Sequence, residues 1–398
     1  MNKHLGLLFV AVGLVTLCAC QLDDDLPPDV PNSSSQESLL IEPGQNYIHS
    51  SNGKVQDAPV LEELYTKASL AGFSESLVNH QLVVGLKRQL RVLKYQRRKR
   101  PYQFDDVEVQ LSQLEQSIQT ILDVAQNNPE MMADFLDAYQ LKGADSKGNV
   151  KFTGYYTPIL KVRREANAEY KYPIYTRPDS WEGRLPSREE IDTDGVLKDK
   201  GLELAYARNL VDIYFMQVQG SGIVEFEDGR QVLFANNGDN KYNYSSVGRY
   251  MVRKGYVTEA ETSLRSIRRY LGEHPELMAE VLNSNKSYVF FTPVKSKPKG
   301  AGLVQLLADY SIAVDRRFIP MGSCLLARVP VIHRNKVTHH EYRVLLAQDV
   351  GGAIKGPGHI DVYMGVGEKA RRKASSMHHY GNLWLLLPKD NAPLALAN

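Results

Sequence analysis

Cysteine is scarce in this sequence, and neither sign of charge dominates it. The 398 residues include three cysteines, Cys18, Cys20 and Cys324, too few for a disulfide framework or a cysteine-rich zinc site. Lys plus Arg number 48 against 46 Asp plus Glu, a net charge of +2. A nucleic-acid binder would carry a strongly basic face, so we expect no nucleic-acid partner. Hydrophobic residues make up 43% of the chain, which excludes a mostly disordered protein.

The sequence also lacks an apolar run long enough to cross a bilayer. The uncharged stretch from Leu5 to Leu17 has 13 residues, whereas a membrane-spanning helix needs about 20 and a signal-peptide core about 7 to 15. The pattern therefore predicts an export signal at residues 1–19. The Leu-Cys-Ala-Cys segment that ends at Cys20 resembles a bacterial lipoprotein signal, in which Cys20 would carry the lipid anchor. The alternative is an ordinary cleaved signal with incidental cysteines.

The residues after Cys20 indicate a destination and a tether. In lipoproteins of that kind, Asp at the next position retains the protein in the inner membrane, whereas this chain has Gln21. We therefore expect an outer-membrane lipoprotein facing the periplasm of a Gram-negative bacterium. Acidic, proline and serine runs with few aromatic residues follow to about residue 60, and such a composition cannot bury enough apolar surface to fold. Residues 20–60 are predicted to form a flexible tether.

Hydrophobic periodicity divides the remaining chain into a helical part and a β-rich part. From about 75 to 142 the apolar residues recur at spacings of three and four, which predicts helices, the last of them from Pro129 to before Gly143. Beyond that point short strands are predicted, and their spacing suggests a barrel. One predicted strand covers 213–218, and the Asp-Gly pair at Gly229 predicts a hairpin with a type I′ turn.

One stretch of the helical part is strongly basic. Lys87 to Arg100 contains eight basic residues and no acidic residue. A solvated helix face with its following turn is favoured over a docking patch for a polyanion.

The histidines do not predict a metal site. They include two adjacent pairs, at 339–340 and 378–379, and neighbours along a strand point to opposite faces of the sheet. His359 and Asp361 could share a face, but no third ligand stands at a recognisable spacing. We expect neither a metal ion nor another cofactor.

The strongest candidate for chemistry is a pair of aspartates. Asp349 and Asp361 bracket a loop that contains four glycines and Lys355, and each follows or begins an apolar strand. This arrangement would bring two carboxylates to one rim of a barrel, and the glycines would let a polymer backbone come close. The alternative is that both aspartates only cap turns.

Aromatic and amide side chains suggest a carbohydrate ligand. Tyr155 and Tyr156 offer apolar rings with hydroxyl groups, which suit a sugar face. Gln217 and Gln219 alternate along the predicted strand, so both amides would share a face and could bond hydroxyl or acetamido groups. Taken singly, each of these residues is more simply explained as a core tyrosine or a surface amide.

Four segments together resemble the membrane-bound lytic murein transglycosylase A family. They are residues 152–158, 201–206, 217–222 and 349–361, and the resemblance extends over about 150 to 390. It implies an α+β fold, mainly β, in which a double-psi β-barrel domain with N-terminal helices is interrupted by an inserted second β-barrel-like domain. The barrel domain would comprise 61–160 plus 288–398 and the insertion 161–287, with glycan bound in the groove between them.

The same resemblance implies the reaction and its residues. The bond between N-acetylmuramic acid and N-acetylglucosamine would be cleaved without water, leaving a 1,6-anhydromuramic end. Asp361 would act as general acid and then as base, and Asp349 would support it. A general acid must be protonated near neutral pH, so Asp361 should be desolvated or close to another carboxylate. The other expected substrate ligands are Gly154, Tyr155, Tyr156, Thr157, Gln217, Gln219, Gly220, Ser221, Gly222 and Lys355.

Two other functions remain open at this point. An inverting hydrolase would use Asp349 as the base that activates water, with the two carboxyl groups about 6.5 to 9.5 Å apart. A non-catalytic lipoprotein would instead bind the cell wall through the tyrosines. The expected partners are peptidoglycan glycan strands and the membrane, with cell-wall enzyme complexes as a further class and a monomer otherwise.

Overall fold

A computed structural model describes residues 65–68, 79–96, 101–104, 107–127, 132–258, 263–333 and 336–389. The predicted signal, the lipid-anchor residue Cys20 and the predicted tether at 20–60 lie outside these residues. Within these ranges, no helix has both the length and the apolar character needed to cross a membrane.

Nine α-helices, a 3₁₀-helix at Pro275–Leu277 and sixteen strands are formed within the described residues. The helices are α1 His80–Tyr95, α2 Leu111–Asn127, α3 Met132–Phe135, α4 Arg188–Asp192, α5 Leu210–Gln219, α6 Val247–Arg253, α7 Leu264–Glu273, α8 Met278–Asn283 and α9 Gly367–Ser376. The strands are β1 Tyr65–Ala68, β2 Tyr102–Phe104, β3 Val107–Val109, β4 Leu136–Leu141, β5 Val150–Thr157, β6 Ile159–Arg163, β7 Tyr172–Tyr175, β8 Glu203–Ala207, β9 Ser221–Glu225, β10 Gln231–Asp239, β11 Val289–Val294, β12 Ser311–Ala313, β13 Cys324–His333, β14 Lys336–Asp349, β15 His359–Val366 and β16 His378–Pro388.

The larger sheet closes into a six-stranded barrel. Its order is β16-β13-β14-β12-β15-β5, and β5 pairs back with β16, while β4 and β1 extend the sheet beyond β16. Two pairs are parallel, β12 with β14 and β15 with β5. The interior is filled by aliphatic side chains such as Leu325, Leu345 and Ile360, each with no exposed surface. The predicted α+β class with a β-barrel is confirmed.

The N-terminal helices pack on this barrel. α1 begins after Asn79, whose side chain accepts a hydrogen bond from Leu82 N at 3.0 Å, a standard N-cap. Leu82 and Leu86 recur at helical spacing and are fully buried in the barrel core. Gln89 on the same helix donates to Ser323 O at 2.8 Å, which fixes the helix to the start of β13.

A second sheet is formed by the part of the chain between barrel strands β5 and β12. Its order is β11-β10-β9-β6-β8-β7, and it has a separate core that includes Ile174, Phe215 and Phe291. The strands that pair in this sheet run from Ile159 to Val294. The boundaries of the inserted domain, 161 and 287, remain a prediction.

Two predicted elements were wrong in type. Residues 213–218 lie in helix α5, which begins after the N-cap Asn209 and ends at Gly220 with φ 78°. Nine of its ten residues are buried, and an all-round apolar segment shows no helical period that could distinguish it from a buried strand. Of the helix predicted from Pro129, the described part begins at Met132 with the short α3, which ends at Phe135 and is followed by β4. β4 is a strand because that segment pairs with β16 and β1.

The predicted hairpin is confirmed, but its turn is different. β9 pairs with β10 in antiparallel register, and Phe226 O accepts from Gly229 N at 3.0 Å. Gly229 has φ 78°, whereas Asp228 is not among the residues of positive φ. A type I′ turn needs positive φ at both central residues, so this is a type I turn followed by a glycine bulge.

Candidate active site

The barrel places Asp349 and Asp361 on either side of one short strand. Ala313 of β12 pairs with Asp349 of β14 and with Asp361 of β15. Adjacent strands lie about 4.8 Å apart, so the two aspartate backbones are separated by about two strand spacings. Neither aspartate has exposed surface. The structure therefore brings the two predicted carboxylates together in a desolvated part of the barrel wall.

Asp349 is held by three protein donors. Its Oδ1 accepts from Ala301 N at 2.8 Å and from Val350 N at 2.9 Å, and its Oδ2 accepts from the Tyr155 hydroxyl at 2.9 Å. Burial raises the pKa of Asp349 to about 7, although the three hydrogen bonds act in the opposite direction. Both oxygens of this carboxylate are thus engaged by the protein.

Asp361 is contacted by a threonine of the neighbouring parallel strand. Thr153 Oγ1 donates to Asp361 Oδ1 at 2.8 Å. The Thr153 hydroxyl oxygen also lies 2.9 Å from His359 Nε2. A hydroxyl has one proton to donate. When that proton goes to Asp361, the His359 ring must donate to Thr153 from Nε2. The partly exposed His359 is thereby linked to the buried carboxyl through one hydroxyl group.

Two buried tyrosines pack beside the carboxylates. The rings of Tyr155 and Tyr363 pack with centroids 5.2 Å apart, and Thr157 Oγ1 lies 2.9 Å from the Tyr363 hydroxyl. Burial raises the pKa of Tyr155 well above its usual value, and the negative charge of Asp349 raises it further. Tyr155 therefore remains a proton donor toward Asp349 at any physiological pH.

The predicted amide ligands do not share a face. Successive residues in a helix are rotated by about 100°, so Gln217 and Gln219 point in nearly opposite directions. Gln217 donates to Val289 O at 3.2 Å, and Gln219 Oε1 accepts from Tyr156 N at 3.0 Å. Both amides are buried and bonded to backbone. Gln219 therefore joins α5 to the barrel strand β5, and the predicted strand alternation was wrong.

Two glycines of the predicted set are required by packing. A Cβ on Gly154 would lie 2.8 Å from the Cα of Ala374 in α9. A Cβ on Gly222 would lie 2.5 Å from the Met216 side chain. Close approach of protein elements therefore accounts for both positions.

The remaining predicted ligands lie at the start of β9 and on the aspartate loop. Ser221 opens β9 directly after Gly220 and is partly exposed. Lys355 is exposed between the two aspartates. Asp315 fixes the same loop, because its Oδ2 accepts a hydrogen bond from Gly356 N at 3.0 Å.

Three residues of this site were absent from the predicted set. Thr153 could have been found, because positions 153, 155 and 157 of one strand share a face. His359 has the same signal relative to Asp361, two residues along β15, but the interpretation of His359 from sequence extends only to a metal ligand. Asp315 carries no such signal, since its role depends on the path of the loop.

Thiol and metal chemistry have few candidates in the described part of the chain. Cys324 is buried, and burial raises the pKa of its thiol. No group of three or more His, Cys, Asp or Glu side chains among the described residues is arranged to hold a metal ion.

Comparisons with known proteins agree with this architecture. The family model described as "MltA specific insert domain" matches residues 151–292, and the "3D domain" matches 310–387. The chain is 44% identical over 256 residues to membrane-bound lytic murein transglycosylase A of Escherichia coli K12, covering 63% of this chain and 69% of the relative. For the Vibrio cholerae protein of the same name the identity is 38% over 272 residues, covering 67% and 73%.

A solved structure matches as well. The crystal structure of E. coli MltA with bound chitohexaose superposes with a TM-score of 0.69 at 33% identity, covering 83% of this chain and 96% of that one.

Proposed function

The chain belongs to the membrane-bound lytic murein transglycosylase A family and is a lytic transglycosylase of peptidoglycan; on that premise we propose that Asp361 is its single catalytic acid and base. The bond cleaved is the β-1,4 bond between N-acetylmuramic acid and N-acetylglucosamine. The observation that supports a single acid is the hydrogen bonding of Asp349, because its two oxygens already accept three hydrogen bonds from the protein.

In the proposed reaction Asp361 gives up one proton and later takes up another. The protonated Asp361 donates to the glycosidic oxygen as the bond from that oxygen to C1 of the muramic residue breaks. The C6 hydroxyl of the same residue then attacks C1, and its proton passes to the Asp361 carboxylate. The product carries a 1,6-anhydro ring, no water is consumed, and the carboxyl group is ready for another cycle.

Asp349 has a supporting role in this mechanism. An inverting hydrolase needs a second carboxylate with an oxygen available to a water molecule. In Asp349 one oxygen bonds two backbone N–H groups and the other bonds Tyr155, so three of its four lone-pair positions are occupied by the protein and one is left for a water molecule. We infer that Asp349 orders Tyr155 and the loop at Ala301 beside the reacting bond.

Glycan is proposed to bind between the barrel and the second sheet. A relative of known structure binds chitohexaose. Of the predicted ligands, Ser221 is partly exposed and Lys355 is exposed. Tyr155, Tyr156 and Thr157 are buried and are proposed to support the wall of the groove from within β5. Gln219 is proposed to act indirectly, by fixing the Tyr156 backbone.

The relatives are membrane-bound enzymes of Gram-negative bacteria, which supports a membrane-associated periplasmic enzyme. We propose attachment to the outer membrane through a lipid on Cys20. Labelling with a radioactive fatty acid, with a Cys20→Ser variant as control, would test this anchor.

The products decide between the proposed reaction and its rivals. Digestion of purified sacculi is expected to release fragments whose muramic ends lack the mass of one water, as read by mass spectrometry. Fragments with reducing ends would instead support an inverting hydrolase. Absence of soluble fragments would support a wall-binding lipoprotein.

Thr153→Val should lower kcat by about 10- to 100-fold, because a hydrogen bond to a charged group is worth about 1.5 to 3 kcal/mol. The shape of the side chain is preserved, so KM for glycan strands should change by less than about twofold. Steady-state release of anhydro products measures both constants. Thr153→Ser restores the hydroxyl and should recover most of kcat. An unchanged kcat in Thr153→Val would contradict a role for this hydroxyl in the reaction.

A further inference from the structure

A basic recess lies beside the carboxylates and takes no part in the proposed proton transfers. It consists of two adjoining pockets of about 710 and 480 Å³. Lys295, Lys297 and Lys299 line the first, and both pockets share Lys297, Gln231 and Gln305. We call this recess the lysine pocket.

The lysine pocket begins one side chain away from the catalytic centre. Tyr363 of β15 forms part of its wall, and the Tyr363 ring packs on Tyr155, which bonds Asp349. Tyr363 also lies two residues after Asp361, so both side chains stand on the same face of β15 about 7 Å apart. The pocket therefore adjoins the part of the barrel wall that carries Asp361.

The walls of the pocket come from both parts of the molecule. Ile223 of β9 and Leu233 of β10 belong to the second sheet, whereas Tyr363 belongs to the barrel. The position agrees with the groove proposed for glycan. An open recess lined by both sheets lies along the course of a groove-bound polymer, which suits an appendage of that polymer.

The lysines provide uncompensated positive charge. All three are exposed, and none belongs to the ion pairs formed among the residues that the structure describes. Two acidic residues bond to lining residues. Glu225 accepts from Gln231 Nε2 at 2.8 Å, and Asp309 donates its backbone N–H to Tyr363 O at 2.7 Å. The Asp309 carboxylate is paired with Lys373, so the Glu225 carboxylate beside three ammonium groups leaves the pocket positive.

The pocket wall is held in place by the basic helix α1. Lys299 forms a backbone bridge with Gln305. Arg88 donates to the Gln305 backbone oxygen at 3.1 Å and to its side-chain oxygen at 3.3 Å. Arg88 thus fixes the Gln305 side of the pocket and adds another cation behind it. Part of the basic stretch noted in the sequence therefore supports the wall of the pocket from behind.

The glycan backbone alone gives these lysines no anion to bind, because its hydroxyl and acetamido groups are neutral. The peptide stem on the muramic lactyl group does carry free carboxylates. We propose that the lysine pocket binds the carboxylates of the peptide stem on a muramic residue held next to Asp361. This inference rests on the proposed function, because that function places the glycan in the groove.

Binding preference tests this role without requiring cleavage. The full chain carrying Asp361→Asn, in detergent, is titrated with glycan oligosaccharides that retain their stems and with the same oligosaccharides stripped by an amidase. Three exposed ion-pair contacts are each worth a fraction of 1 kcal/mol to about 1 kcal/mol, so stem-bearing glycan should bind about tenfold more tightly. The preference should fall with added salt, because exposed charges are screened.

The decisive variant removes the three charges together. Lys295→Gln, Lys297→Gln and Lys299→Gln, combined in the same background, should reduce the preference to within about twofold while affinity for stripped glycan stays unchanged. The matched control changes three exposed lysines outside the pocket, Lys147, Lys198 and Lys200, to Gln. It should retain the full preference.

Three outcomes would overturn the proposal. The first is an Asp361→Asn protein that shows no preference for stem-bearing glycan. The second is a pocket variant that keeps the preference. The third is a pocket variant that loses affinity equally for stem-bearing and for stripped glycan. A pocket variant that keeps the preference but no longer binds phosphatidylglycerol vesicles would assign the lysines to a membrane surface. Failure of the proposed function appears separately, as absence of anhydro products when the wild-type chain acts on stripped glycan.

Discussion

Asp361→Asn should lower kcat for release of anhydro-muramic products by about 1,000-fold, within the range that general acid–base catalysis contributes. The amide has the shape of the carboxyl group but neither gives up an acidic proton nor accepts one from the C6 hydroxyl. Thr153 can still donate to the amide oxygen in place of Asp361 Oδ1. Packing around the fully buried position is therefore preserved, and KM should change by less than about twofold.

Solubilisation of purified sacculi, followed by chromatography of the released fragments, measures this loss. Asp228→Asn is the matched control, because it makes the same chemical change in the exposed hairpin turn of the second sheet. It should keep wild-type activity. Retention of more than about a tenth of kcat by Asp361→Asn would contradict the assignment of the acid. Equal loss in Asp349→Asn together with reducing-end products would support the inverting hydrolase.

The two carboxylates could be predicted from sequence because apolar strands mark their positions. Asp349 ends β14 and Asp361 stands near the start of β15, so a barrel pattern is enough to bring them to one region. The strand that separates them could not be predicted. β12 has only three residues, too few for a periodic signal, yet its pairing with both neighbours sets the spacing of the two acids.

Local pattern was misleading where a segment is buried on all sides. In α5 the apolar residues surround the helix, and its helical identity depends on the Asn209 cap and the left-handed Gly220. A strand at this segment predicts that the two glutamines share a face toward the substrate, and this prediction is wrong. The buried contact of Gln219 with the Tyr156 backbone is a tertiary interaction, and its partners are 63 residues apart.

The contacts of Thr153, His359 and Asp361 combine one feature that sequence predicts, the shared face of a strand, with one that it does not, the register between strands. A period of two places Thr153 on the face of Tyr155, which is a local property of β5. That this face meets Asp361 depends on the parallel register of β5 with β15, in which Thr153 pairs with Asp361. Register between strands this far apart in the chain is set by the assembled barrel.

Asp349 should make folding stability depend on pH. Burial raises its pKa from 3.8 to about 7 in the folded protein. The folded state therefore binds this proton more tightly than the unfolded state does. The resulting stabilisation is fully present below the unfolded pKa of about 4, and it is lost as pH rises through about 7. At about 1.4 kcal/mol per pKa unit, the loss in free energy of unfolding is roughly 4 kcal/mol.

Asp349→Asn removes this titration, so the free energy of unfolding of wild type minus that of the variant should fall by several kcal/mol between about pH 4 and pH 8. Urea unfolding across that range measures the difference. Asp315→Asn is the control within the same barrel. Burial alone would raise the pKa of Asp315, but hydrogen bonds from Arg317 and Gly356 lower it overall. Its contribution is lost only at more acid pH, and its difference curve should be flat over the same range. A flat curve for Asp349→Asn would mean that Asp349 is ionised throughout, held by Tyr155 and the two backbone donors.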